Sequence, residues 1–75
     1  MDLGLDQVRL GLQAVVTHIE AEPLLKGRLR DFGCVPGTAV CCRYRSPGGF
    51  VTAMEVRGTV LALRTRDLRK IRVRC

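Results

Sequence analysis

Apolar positions along this chain fall mostly into short alternating runs separated by glycine and proline, with one stretch of helical spacing among them. Alternation at period two sends successive side chains to opposite faces of a strand. Spacings of three and four gather them on one face of a helix. Gln13 to Glu20 reads as a first strand. Val16 and Ile19 are three apart there, and a β-bulge near Thr17-His18 returns both to the interior. Thr38 to Arg45 reads as a second strand with Val40 and Cys42 on one face. Phe50 to Arg57 is a third, with Thr52, Met54 and Val56 aligned. Gly58 allows a tight reversal into a fourth, Thr59 to Arg64, with Leu61 and Leu63 facing one way. Ile71 and Val73 alternate in a short fifth. Ahead of all these, Leu5, Val8 and Leu12 keep a weak spacing of about three, which predicts a loose lead-in segment ended by Gly11.

The helical stretch is Pro23 to Phe32. Leu25, Leu29 and Phe32 stand at i, i+4 and i+7 and line one face. Pro23 suits the first helical position, Glu20 and Glu22 sit near the positive end, and Arg28 and Arg30 occupy the later turns. Gly27 inside the helix costs about 1 kcal/mol relative to alanine. Gly33 follows directly, where a helix stop favours positive φ. Pro36-Gly37 and Ser46-Pro47-Gly48-Gly49 mark turns. Thr65 to Leu68 reads as one helical turn capped by Thr65. The expected fold is mainly β: a small five-stranded closed sheet with one short helix as its lid. The expected interior is Val16, Ile19, Leu25, Leu29, Phe32, Val40, Met54, Val56, Leu61, Leu63, Leu68, Ile71 and Val73.

Length limits what such a fold can do. Seventy-five residues make one domain, 1–75, with a core running roughly from 11 to 74. A chain of this size buries roughly 60% of its surface, too little for a cleft between two domains. Thirteen Lys+Arg oppose seven Asp+Glu, a net charge of +6. Arg64, Arg66, Arg69, Lys70, Arg72 and Arg74 crowd the end of the sequence. Such a surplus favours acidic partners. The sequence opens without a basic and apolar leader, and its apolar runs fall far short of the roughly 20 residues that span a bilayer. A cytoplasmic protein that does not insert into the membrane is expected.

Chemistry is sparse. There is no Ser/His/Asp set and no phosphate-cradling glycine loop, so an enzyme is not expected. Cys34, Cys41, Cys42 and Cys75 contain no C-x-x-C pair. Cys42 is expected in the core and Cys41 on the surface, with all four thiols reduced. His18 and Glu20, two apart on a strand, are the only metal candidates, and two ligands rarely hold a divalent ion. No cofactor is assigned. The thiols leave room for a transition metal without giving it a site. A basic barrel that binds nucleic acid is the main rival reading. Such barrels stack bases on aromatic side chains, and only Phe32, Tyr44 and Phe50 are present. Nucleic acid is therefore not the expected partner.

The ordered set Gly11, Ala14, Val16, Ile19, Arg28-Leu29, Asp31-Phe32-Gly33, Pro36-Gly37-Thr38, Val40, Pro47-Gly48-Gly49, Arg57-Gly58, Leu61-Ala62-Leu63-Arg64 and Ile71-x-Val73 resembles the FeoA family of small proteins accessory to bacterial ferrous iron transport. Gly27, where the family often has a larger residue, and Phe50 in the turn depart from the pattern. The resemblance implies an SH3-like barrel and a protein–protein role beside the membrane GTPase-permease that carries Fe²⁺ inward. The same module resembles the C-terminal domain of iron- or manganese-dependent repressors, which leaves a stand-alone regulatory domain as an alternative. On the transport reading, the contact residues are Arg43, Tyr44 and Arg45 at a strand end, Phe50 in the following turn, and Arg72 in the basic last strand.

Overall fold

The computed structural model describes residues 2–75. Six strands form one antiparallel sheet: β1 (Leu3–Gly4), β2 (Gln13–Ile19), β3 (Ala39–Arg45), β4 (Val51–Val56), β5 (Thr59–Arg64) and β6 (Ile71–Arg74). Helix α1 (Pro23–Asp31) lies between β2 and β3, and the one-turn α2 (Thr65–Leu68) lies between β5 and β6. The strand order is β1-β6-β2-β3-β4-β5. This corrects the expected five-stranded closed sheet. There are six strands, and the sheet is not closed, so β1 and β5 are its edges.

The extra strand comes from the segment expected to be loose. Leu3 and Gly4 pair with Val73 and Arg72 of β6, and a 3-10 turn at Leu5–Gln7 follows. Leu5 is fully buried and Val8 nearly so. A two-residue strand has no period to read, so the pattern of the sequence could not announce it. Gly4 makes the seat possible. A Cβ there would lie 2.5 Å from Asp6 Oδ1 and 3.0 Å from the Arg69 Cα.

The expected bulge in β2 is present. Register with β6 shifts between Val16 and His18, and Val16 and Ile19 are both buried. A second bulge, in β3 between Cys42 and Tyr44, was not expected. Cys41 also departs from expectation, being only 6% exposed. It sits on a central strand, with Gln13 of β2 and Glu55 of β4 as its register partners on the same face. Neighbours on both sides cover it, which alternation along one strand cannot reveal.

Helix α1 ends at Asp31, one residue early. Gly33 takes φ 87°. Its N–H donates to Arg30 O (2.9 Å), and the Cys34 N–H donates to Leu29 O (2.9 Å). These two bonds form a Schellman stop, whose usual apolar contact here joins Leu29 and Cys34, both in the core. Phe32 becomes the C-cap and is 45% exposed, so it leaves the expected core and Cys34 enters it. The β4–β5 turn uses Arg57 (φ 51°) and Gly58 (φ 81°), the two positive φ values that a two-residue hairpin loop demands.

Thr65 does not cap α2; Arg64 holds that position and no side chain bonds the helix end. The Thr65 hydroxyl instead shares a 2.8 Å hydrogen bond with that of buried Thr52. Lys70 joins α2 to the start of α1, reaching Asp67 (3.4 Å) and Glu22 (3.3 Å). Hydrogen bonds to Glu22 and then Asp67 raise the Lys70 pKa. A backbone hydrogen bond and then Lys70 lower that of Glu22. Among the described residues no helix is long and apolar enough to cross a membrane.

Candidate partner-binding surface

The β3–β4 hairpin carries four of the five expected contact residues. Its tip is held by short local bonds. Ser46 N–H donates to Val51 O (2.8 Å), Gly49 N–H donates to Ser46 O (2.8 Å), and Val51 N–H donates to the Ser46 hydroxyl (3.1 Å). Gly49 takes φ 78°, as a turn glycine should. This frame holds Phe50 79% exposed, while Tyr44 on β3 is 61% exposed. Aromatic side chains this exposed lose apolar contact with no intramolecular return, so they are the available anchors for a partner.

The two arginines beside Tyr44 differ. Arg43 lies on the surface and its Nε donates to Glu55 Oε1 (2.6 Å), a bond that raises the guanidinium pKa. Arg45 is drawn inward. Its Nε donates to Thr52 Oγ1 (3.2 Å), and its Nη2 is buried without a partner. Arg45 therefore supports the hairpin from beneath more than it presents a charge.

Arg72 is not brought to this surface. It lies on β6, two strands away from β3, where its Nε stands 3.8 Å from Asp2 Oδ2. The basic end of the chain is divided by α2. Arg64, Arg66 and Arg69, with Asp6, line a cavity of about 480 Å³ beside Phe50 and Val51. The Thr65 N–H bond to Phe50 O (2.8 Å) ties that segment to the hairpin. The charge run was visible in the sequence. Its division into two groups depends on the turn at α2 and the pairing of β6, which the run does not encode.

His18 and Glu20 do meet: His18 Nε2 lies 3.0 Å from Glu20 Oε2, and both side chains are about half exposed. The other ring nitrogen lies 3.3 Å from the Thr17 hydroxyl. No group of three or more His, Cys, Asp or Glu side chains placed to hold a metal exists among the described residues. Two donors fall short of the three or four protein ligands of a zinc site. All four cysteines are free thiols, with only Cys75 exposed. Burial pushes the Cys34 and Cys42 thiols up to about 11, which keeps them protonated and unreactive near neutral pH.

The family model for the FeoA domain matches residues 3–75. The FeoA protein from Chlorobium tepidum superposes with a TM-score of 0.91 at 29% identity, covering 96% of this chain and 69% of that one. FeoA of Stenotrophomonas maltophilia, an SH3 domain protein complexed with zinc, has a TM-score of 0.82 at 29% identity, covering 95% and 88%. A manganese-dependent transcriptional repressor in complex with manganese has a TM-score of 0.85 at 17% identity, over 97% of this chain and 36% of the repressor, a likeness of fold alone. No curated protein matches the chain.

Proposed function

The chain belongs to the FeoA family, and on that premise we propose that it is a cytoplasmic accessory protein of bacterial ferrous iron uptake. It acts by binding the cytoplasmic part of the GTPase-permease, not by catalysis. The observation that carries this reading is the pair of exposed aromatics, Tyr44 and Phe50, on a hairpin braced by its own hydrogen bonds. A rigid tip with apolar anchors and a charged surround is what a protein–protein contact uses. The cluster Arg64, Arg66 and Arg69 supplies a positive field that steers an acidic partner. The relative from Stenotrophomonas is put forward as a ferrous iron transport activating factor, which agrees with this role. Fe²⁺ is the cargo of the permease in this scheme, and the chain needs no ion of its own to bind the permease.

The test is retention of the permease's soluble region by the immobilised chain. Wild type should retain it, and association should slow as salt rises. Tyr44→Ala/Phe50→Ala should weaken retention about tenfold or more, as loss of two anchors would. No retention by wild type, together with steeply salt-dependent binding to single-stranded nucleic acid, would reject the transport role in favour of a nucleic-acid-binding barrel.

A further inference from the structure

Among the described residues, strand β5 pairs only with β4, along all six of its residues, and nothing pairs with its outer side. The two-residue turn at Arg57-Gly58 sets the parity of the ladder. In such a hairpin the residues flanking the loop exchange hydrogen bonds, and the pattern alternates from there. Thr59, Leu61 and Leu63 therefore bond to β4. Val60 and Ala62 turn both their N–H and C=O groups outward, and Arg64 turns its N–H outward, its C=O being taken up as the N-cap of α2. Among the described residues, neither Val60 nor Ala62 takes part in a backbone hydrogen bond to a turn, loop or other element. The edge carries no proline and no bulge, the usual devices that blunt such a template.

Helix α1 stands beside this edge without covering it. Between them lies a groove of about 170 Å³, walled by Leu25, Leu29 and Phe32 of the helix segment and by Val60 to Leu63 of the strand. Val60 is 59% exposed. Arg28 is the only charged group in the lining, and Arg57 and Arg64 flank the two ends of β5. No acid lies in the groove or on β5.

We propose that this groove takes an extended, acidic segment of a partner protein, added as a further strand on β5. Main-chain hydrogen bonds to Val60, Ala62 and Arg64 would hold it. Alternate apolar side chains would enter the groove toward Leu25, Leu29 and Phe32, the usual division of labour in strand addition. Charge selects the occupant. A second copy of this chain would pair β5 with β5 antiparallel, bringing Arg64 of each toward Arg57 of the other with no acid to offset them, and like charges across a ladder destabilise it. A strand bearing carboxylates on its other face meets Arg64 at the end of β5 and Arg57 at its start instead. The groove lining shares no residue with the Tyr44/Phe50 hairpin, Arg64 being the one residue common to the two surfaces, so the groove stands whether or not that hairpin binds the permease.

The probe is an end-blocked octapeptide of alternating valine and glutamate, with a valine–lysine octapeptide as its opposite. Each is titrated into the isotope-labelled full chain and followed by amide NMR and hydrogen exchange. The acidic peptide should shift the amides of Val60, Ala62, Arg64 and Phe32 saturably and slow exchange at Val60 and Ala62. The basic peptide should leave them unmoved. Val60→Pro removes one outward N–H without touching the β4 ladder, and should abolish binding, while Val60→Ala keeps it. Arg64→Glu should weaken the acidic peptide and favour the basic one, and it decides the matter if Val60→Pro unfolds. Unmoved β5 amides, equal response to both peptides, or shifts at β5 that grow with protein concentration alone would each overturn the proposal, the last in favour of self-pairing.

Discussion

At one edge of the sheet β1 is two residues long and runs directly into a 3-10 turn that plants Leu5 in the core. At the other, β5 runs six residues with its outer backbone groups unpaired and Val60 in solvent. The β1 edge is also tied down from outside. Asp2 accepts a 3.0 Å bond from the Thr17 hydroxyl and faces Arg72. Shortness and burial leave no room there for another strand. The β5 edge keeps its length and its free hydrogen bonds, and the helix that could have covered it stands aside. An edge can thus serve as a structural closure at one end of a small sheet and as a docking rail at the other. The difference lies in what the adjoining residues bury.

The largest effect should separate the two edges directly. Leu5→Ala removes a fully buried side chain and should cost about 2–5 kcal/mol. Val60→Ala at the exposed edge should stay within about 0.5 kcal/mol of wild type. Urea denaturation midpoints measure both, and equal losses would erase the distinction.

Next in size is the wall of the groove. Gly33 holds φ 87°, and a Cβ there would run into the Arg57 side chain of the turn that launches β5. Gly33→Val should cost more than about 1 kcal/mol through backbone strain alone. A denaturant midpoint matching wild type would show that the helix stop does not position that wall.

Native-state hydrogen exchange should then resolve the edge residue by residue. The amides of Leu61 and Leu63 should be protected, and those of Val60 and Ala62 should exchange far faster. The reverse order would mean that the ladder has the other parity and that the free edge presents different residues.

The last effect concerns the core between the edges. Cys34 and Cys42 ionise in the unfolded chain near pH 9, but only at about 11 when folded. Their contribution to stability is therefore complete below pH 9 and is lost as pH rises toward 11. Stability measured across that range should fall, and it should fall less in Cys34→Ala than in wild type. Ellman's reagent at neutral pH should modify Cys75 in the folded protein and leave Cys34 and Cys42 intact until unfolding. Rapid modification of either would show that the core opens.

What the sequence determined by itself is local. Gly33 after the Leu25/Leu29 stripe, the bulge between Val16 and Ile19, and the Arg57-Gly58 reversal depend on neighbours a few residues away, so their spacing is legible. The sequence placed Tyr44 and Phe50 on one hairpin for the same reason, since it is built from consecutive residues, but their exposure was settled by the packing around them. Tertiary structure decided everything that depends on distant partners. Leu3 and Gly4 become a strand only because β6 is there to pair with them. Cys41 is buried by the strands on either side of its own, and Thr65 bonds Thr52 instead of capping a helix. Arg72 and Arg64, eight residues apart in one basic run, end on different parts of the sheet. The openness of β5 belongs to this second class. Whether an edge is free is a property of what the rest of the chain fails to place beside it, and no pattern within six residues carries that information.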